Sequence, residues 1–102
     1  MDTEEKNIKW FMYVKEIQGA ASCIFQSRAE MYNNGIFAGD YYRHGIQDLT
    51  HEITKKCLRI ESAAHSEKPE KAAGSIHDSV IDIINYAAFI WAYINTINIA
   101  KE

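Results

Sequence analysis

The sequence has little proline and glycine, the residues that sheet-rich folds use at their many tight turns. One proline and five glycines occur in 102 residues, and no segment shows convincing strand-like alternation of apolar and polar residues. This scarcity favours long helices. Apolar residues make up 47 % of the chain, which argues against disorder, and the length fits one domain. We therefore expect a single all-α domain over residues 1–102.

The chain also lacks an excess of positive charge and a long apolar run. It carries 11 basic and 14 acidic residues, a formal net charge of −3, unlike the basic surface of a nucleic-acid binder. The most apolar segment, residues 79–100, is interrupted by Asp82 and three asparagines, so no run of about 18 apolar residues remains to span a membrane. Neither a nucleic acid nor a membrane is expected as a partner.

Only two cysteines are present, Cys23 and Cys57. The opening "MDTEEKNIKW" is charged and lacks the apolar core of a signal peptide. A cytoplasmic protein with two reduced thiols is the simplest expectation. The histidines and Cys57 do not show the spacing of zinc ligands.

Apolar residues at three- and four-residue steps predict three helices. The first is expected over residues 3–32, with Asn34-Gly35 as a stop signal. The second begins between Asp40 and Gln47 and ends near His65. A polar linker, residues 66–74, follows. The third begins at the cap signal formed by Ser75 and Asp78 and runs toward the C-terminus.

The third predicted helix is apolar on nearly all sides, which is typical of a helix buried on nearly all sides. A chain of 102 residues has too few other helices to cover it. A three- or four-helix bundle, completed by homo-oligomerisation, is therefore the predicted architecture.

A polar line crosses this third helix in "SIHDSVIDIINYAAF", residues 75–89. Asp78, Asp82 and Asn85 fall within about 60° of arc. Asp48 and Glu52 form a second acidic pair, one turn apart on the second helix. Like charges at this spacing destabilise a helix slightly unless a cation lies between them.

Two interpretations of these acids remain open. In the first, the four carboxylates hold Mg²⁺, an ion that prefers oxygen ligands, while Lys56 and Arg59 bind phosphate oxygens. In the second, Asp78 is only a helix cap, Asp82 forms a structural salt bridge with Lys56 or Arg59, and the other two acids are plain surface residues.

The segment "DYYRHG", residues 40–45, lies in a predicted loop or helix start. Tyr42 and Arg43 there are suited to stacking on a base and contacting a phosphate. Alternatively, the cluster covers a helix junction.

The run "KKCLRIESAAHSEKPEKAAGSIHDSVIDIINYAAF", residues 55–89, resembles small helical families associated with phages and bacteria. Their pattern is K-x-x-R followed by isoleucine or leucine, a variable linker, and D-x-x-x-D-x-x-x-Y-A. The matching positions here are Lys56, Arg59, Asp78, Asp82 and Tyr86. The nucleotide modification associated domain is one such family. These families in turn resemble the MazG-like and dimeric dUTPase-like all-α nucleoside triphosphate pyrophosphohydrolases.

The resemblance implies an oligomeric helical protein that handles nucleotides. In the pyrophosphohydrolases, acids on two helices bind Mg²⁺, and a metal-bound water attacks the phosphate chain to give a nucleoside monophosphate and pyrophosphate. Carried onto this chain, the implied site has metal ligands Asp48, Glu52, Asp78 and Asp82, phosphate ligands Lys56 and Arg59, and pocket residues Asn85, Tyr86, Tyr42 and Arg43.

The alternative is a non-catalytic helical oligomer that binds a nucleotide or a protein, for example a sponge or adaptor in phage defence or counter-defence. The acidic pairs favour it. The resembling enzymes usually carry E-x-x-E and E-x-x-D, whereas the pairs here are D-x-x-x-E and D-x-x-x-D, and Ser79 stands where a second glutamate would fall.

Overall fold

A computed structural model describes residues 1–32, 35 and 38–101, and they form helices α1 (Thr3–Tyr32), α2 (Ile46–Ala64) and α3 (Pro69–Lys101). A 3₁₀ turn, Ala38–Tyr41, precedes α2. No β-strand occurs in these ranges. The all-α prediction is confirmed, as are the bounds of α1 and α2. In the predicted stop signal after α1, Asn34 lies outside the described residues, and Gly35 adopts a φ of 84°.

The start of α3 differs from the prediction. The helix begins at Pro69, so most of the predicted linker, residues 66–74, is helical. Proline suits the first helical position, where its missing N–H has no helical partner to lose, and Glu70 places negative charge in the first turn. Ser75 and Asp78 therefore lie inside the helix, and their interpretation as a cap is wrong.

Helices α2 and α3 form an antiparallel pair joined by the short connection 65–68. Lys56 of α2 lies opposite Asp82 of α3. Gly45, just before α2, lies against Tyr93, farther along α3. Earlier residues of α2 thus contact later residues of α3, as antiparallel packing requires. This pair is the most extensive contact between helices in the described chain.

Helix α1 packs on α3 in the same direction and less extensively. Ala21 contacts Asn85, and the ring centroids of Phe25 and Phe89 are 5.9 Å apart. Residue numbers thus increase in the same direction along both helices at this contact. The contact thus involves the second half of α1, while its first half extends along the start of α3.

The buried apolar core is small. Its described members are Ala21, Leu49, Ala72 and Ile81, contributed by all three helices. Asn85 is also buried, and its side-chain amide donates a hydrogen bond of 3.2 Å to the Ala21 carbonyl oxygen. An amide buried in this way is satisfied and ties α3 to α1. Among the described residues, no helix combines the length and apolar character that crossing a membrane requires.

Gly19 lies inside α1, and a Cβ atom added there would have no heavy atom within 4 Å. We expect Gly19→Ala to raise the free energy of unfolding by about 0.5–1 kcal/mol, because alanine loses less backbone entropy on entering a helix. Denaturant titration at fixed protein concentration measures this. Gly74→Ala, in equally open space within α3, is the matched variant and should change stability in the same direction. A decrease for both would contradict the prediction.

Candidate functional site

Asp82 links all three helices through its carboxylate. Its Oδ2 atom lies 3.0 Å from Nζ of Lys56 on α2, and its Oδ1 atom lies 3.5 Å from Nη1 of Arg28 on α1. The side chains of Lys56 and Asp82 are only 15 % and 17 % exposed. The predicted structural salt bridge is therefore confirmed for Lys56, whereas Arg59, the other candidate, is exposed on α2.

The two cations contribute unequally to this cluster. Lys56 and Asp82 are largely removed from water, so each charge depends on the other for compensation. Arg28 is 48 % exposed and its contact is long, so solvent screens that pair and its contribution is modest. The negative charge of Asp82 is thus balanced mainly by Lys56, with Arg28 as a weaker second partner.

Asp78 lies in a different environment from Asp82, although the two are one helical turn apart. Its side chain is 84 % exposed, and its Oδ1 atom lies 3.5 Å from the Nδ1 atom of His77. Packing against the other helices thus covers Asp82 and leaves Asp78 in water. Asp78, Asp82 and Asn85 therefore share one side of α3, as predicted, but they do not share one environment.

A polar pocket of about 300 Å³ lies between the 3₁₀ turn, the start of α2 and the middle of α3. We call it the tyrosine pocket, because three tyrosines contribute to its lining. The lining residues are Tyr41, Tyr42, Asp48, His51, Glu52 and Tyr86. The spacing of Asp48, His51 and Glu52 places them on one face of α2, and that face borders the pocket.

The two acids of the tyrosine pocket have local partners. Oδ2 of Asp48 accepts a hydrogen bond of 2.9 Å from the backbone N–H of His44, which fixes the chain entering α2. Oε1 of Glu52 lies 2.9 Å from Nζ of Lys55, on the next turn. Both carboxylates retain oxygen lone pairs for further donors, because a carboxylate accepts about four hydrogen bonds.

Aromatic rings from three parts of the chain form a cluster that includes two residues of the pocket lining. Tyr42 and Tyr86 meet edge to face, with centroids 6.5 Å apart. Phe89 lies 6.1 Å from Tyr42 and 6.2 Å from Tyr86, and Phe25 of α1 completes the group. Edge-to-face contacts of this kind add to the energy of burial. The two tyrosines are therefore held in place by apolar packing behind them.

The predicted pocket residues separate into two groups. Tyr42 and Tyr86 line the tyrosine pocket. Asn85 is buried against α1, and Arg43 is exposed outside the lining. Sequence patterns missed Tyr41 and His51, although Tyr41 adjoins Tyr42 in "DYYRHG" and His51 lies one turn beyond Asp48.

The four predicted magnesium ligands occupy three environments. Asp48 and Glu52 share the tyrosine pocket, Asp82 is paired with Lys56, and Asp78 is in water. Within residues 1–32, 35 and 38–101, no group of three or more His, Cys, Asp and Glu side chains is placed to hold a metal ion. In this arrangement the four carboxylates do not fit one shared ion. The magnesium site stays a prediction, and it would require Asp82 to leave Lys56.

No family model matches the chain, and neither a curated protein nor a solved structure matches it.

Proposed function

We propose that this protein is a non-catalytic helical oligomer that binds a nucleoside or nucleotide in the tyrosine pocket. The observation that carries the proposal is the lining of that pocket, where three tyrosines and two carboxylates surround about 300 Å³. This volume is at the lower end of small-molecule sites, which span about 300–1,000 Å³.

The lining suits the two halves of a nucleoside. A base stacks on an aromatic face whatever its identity, and such stacking contributes about 1–3 kcal/mol per base. The carboxylates of Asp48 and Glu52 accept hydrogen bonds from sugar hydroxyls, as acidic residues do in dinucleotide-binding folds. No lysine or arginine belongs to the described lining. Phosphates would therefore lie at the rim, toward Lys55, rather than between the two acids.

The Lys56–Asp82 pair supports binding without catalysis. A carboxylate already compensated by a lysine at 3.0 Å and an arginine at 3.5 Å has little remaining attraction for a divalent cation. Magnesium binding at this position would first break a largely buried ion pair, which is costly.

The second candidate is the magnesium-dependent pyrophosphohydrolase implied by the family resemblance. One observation favours it: Asp48 and Glu52, two of its proposed ligands, line the same pocket one helical turn apart. Asp82 would then join them only after exchanging Lys56 for the ion. Both candidate functions assume the cytoplasmic location that the sequence predicts.

The shape and surface of the chain support assembly into a homo-oligomer. Its radius of gyration is 16.6 Å, whereas a compact chain of this length has about 13 Å. It exposes 8176 Å², whereas a compact monomer of this mass is expected to expose about 5,900 Å². An extended helical chain with so small a core gains much of its missing burial by association.

Calorimetric titration with a panel of nucleosides, nucleoside monophosphates and triphosphates tests the proposal. We expect at least one ligand to bind equally well in Mg²⁺ and in EDTA, without pyrophosphate release. Tyr41→Leu should weaken that binding about 5- to 150-fold, the range expected for one lost stacking partner. Glu61→Gln, an exposed change on α2 outside the pocket, is the control and should leave affinity unchanged.

Two results would contradict the proposal. Binding that disappears in EDTA, together with pyrophosphate release in Mg²⁺, would replace the proposal by the enzymatic candidate. An absence of binding to the whole panel in both buffers would overturn both.

A further inference from the structure

The first half of α1 exposes an unusual density of large apolar side chains. Ile8, Trp10, Phe11, Met12, Tyr13 and Val14 are all exposed, and the fractions range from 37 % for Val14 to 68 % for Trp10 and Tyr13. We call residues 8–14 the apolar segment. At about 100° per residue these side chains are spread around most of the helix, and Lys9 is the one charged residue among them. A helix that is apolar on most of its circumference is expected to be buried, and this one is not.

An apolar groove lies beside the apolar segment. Trp10, Tyr13 and Ile17 of α1 form one wall, and Ile76 and Val80 of α3 form the other. The groove encloses about 590 Å³, because the start of α1 and the start of α3 do not close on each other. The apolar segment and the groove share Trp10 and Tyr13, so they form one continuous apolar surface at the same end of the chain.

We infer that a second copy of this chain covers this end, with the apolar segment of each copy seated against the groove of the other. The inference rests on the homo-oligomer of the proposed function and assigns its interface. A two-fold arrangement pairs the same surface on both copies, so one apolar surface that includes the segment and the groove can cover its own copy.

The solvent-exposed area of the chain agrees with a second copy as the partner at this surface. The chain exposes 8176 Å², about 2,300 Å² more than a compact monomer of its mass. Obligate homodimers bury about 2,000–5,000 Å² in total, which is about 1,000–2,500 Å² on each subunit. One dimer interface per chain thus matches the surplus.

Sedimentation equilibrium of the full chain across micromolar concentrations tests the inference. We expect wild type to have at least twice the chain mass. Trp10→Glu places a charge at the centre of the proposed interface but outside the chain's own core, since Trp10 is 68 % exposed. It should halve the mass and raise the dissociation constant at least 100-fold. The matched control is Trp91→Glu, at a residue 70 % exposed on α3 outside the groove, and this variant should retain the wild-type mass.

Circular dichroism of both variants confirms that they remain helical, and nucleotide titration runs in parallel. A monomeric wild type would overturn both the interface and the proposed oligomer, while nucleotide binding in that monomer would still support the tyrosine pocket. A wild-type oligomer that survives Trp10→Glu would overturn the interface alone.

Discussion

Replacing Lys56 by methionine is expected to lower the free energy of unfolding by about 2–3 kcal/mol. Methionine keeps most of the apolar stem of the side chain but leaves Asp82, whose side chain is 17 % exposed, without its closest cation. Breaking a fully buried pair costs about 3–5 kcal/mol. We expect less here because Arg28 remains 3.5 Å from the same carboxylate. Urea titration at one fixed protein concentration measures the change.

Lys55→Met is the matched control, one residue away on the same helix. Its partner Glu52 is at 2.9 Å, but the lysine side chain is 50 % exposed, so we expect a loss below about 1 kcal/mol. The double variant Lys56→Met, Asp82→Leu should recover much of the loss, because it leaves no largely buried charge unpaired. Arg28 loses its partner in that variant, but its side chain is 48 % exposed and remains solvated. Equal losses for the two lysine variants would show that burial of the Lys56–Asp82 pair has no energetic importance.

Gly45→Ala is expected to destabilise the fold by about 3 kcal/mol or more, for two reasons that add. The residue has a φ of 60° and a ψ of −125°, a conformation that suits glycine and strains alanine. In addition, an alanine Cβ would lie 2.6 Å from Cζ of Tyr93 and would overlap its hydroxyl oxygen. The Tyr93 ring would have to move away from the start of α2 and lose its packing there.

Gly35→Ala separates strain from collision. Gly35 has a φ of +84°, but a Cβ there would meet nothing within 4 Å, so only the backbone strain of about 1 kcal/mol is expected. Thermal unfolding of both variants at matched concentration gives the comparison. If Gly45→Ala cost no more than Gly35→Ala, close packing of Tyr93 on the start of α2 would not contribute to stability.

The sequence predicts α1 and α2 well because their signals are local. Apolar spacing defines both helices, and Gly45 and His65 lie at the ends of α2. The sequence places the start of α3 wrongly because Pro69 and Gly74 lie in a polar stretch that resembles a linker. In the folded chain, Pro69 is at the position where a helix accepts proline, and Ala72 is buried. Tertiary burial therefore overrides the low helix propensity of one glycine.

The candidate site shows a similar limit. Helical spacing correctly places Asp82 within reach of Lys56, because each residue lies on the inward side of its own helix. Spacing cannot indicate how far along α3 a neighbouring helix covers that side. It therefore groups Asp78 with Asp82, although only Asp82 is covered. Arg28 contacts Asp82 across 54 residues of sequence, and nothing near Arg28 in the chain predicts that contact.

The parallel packing of α1 on α3 has a consequence for chain entropy. Helices α2 and α3 are joined by residues 65–68, so bringing them together closes a short loop. The hydrogen bond from Asn85 to Ala21 closes a loop of 64 residues, and the cost of closure rises by about 0.6 kcal/mol for each doubling of loop length. Helix α1 thus combines the larger closure cost with the less extensive contact. Of the three helices, α1 is therefore the one whose packing on the rest of the chain contributes the smallest net free energy.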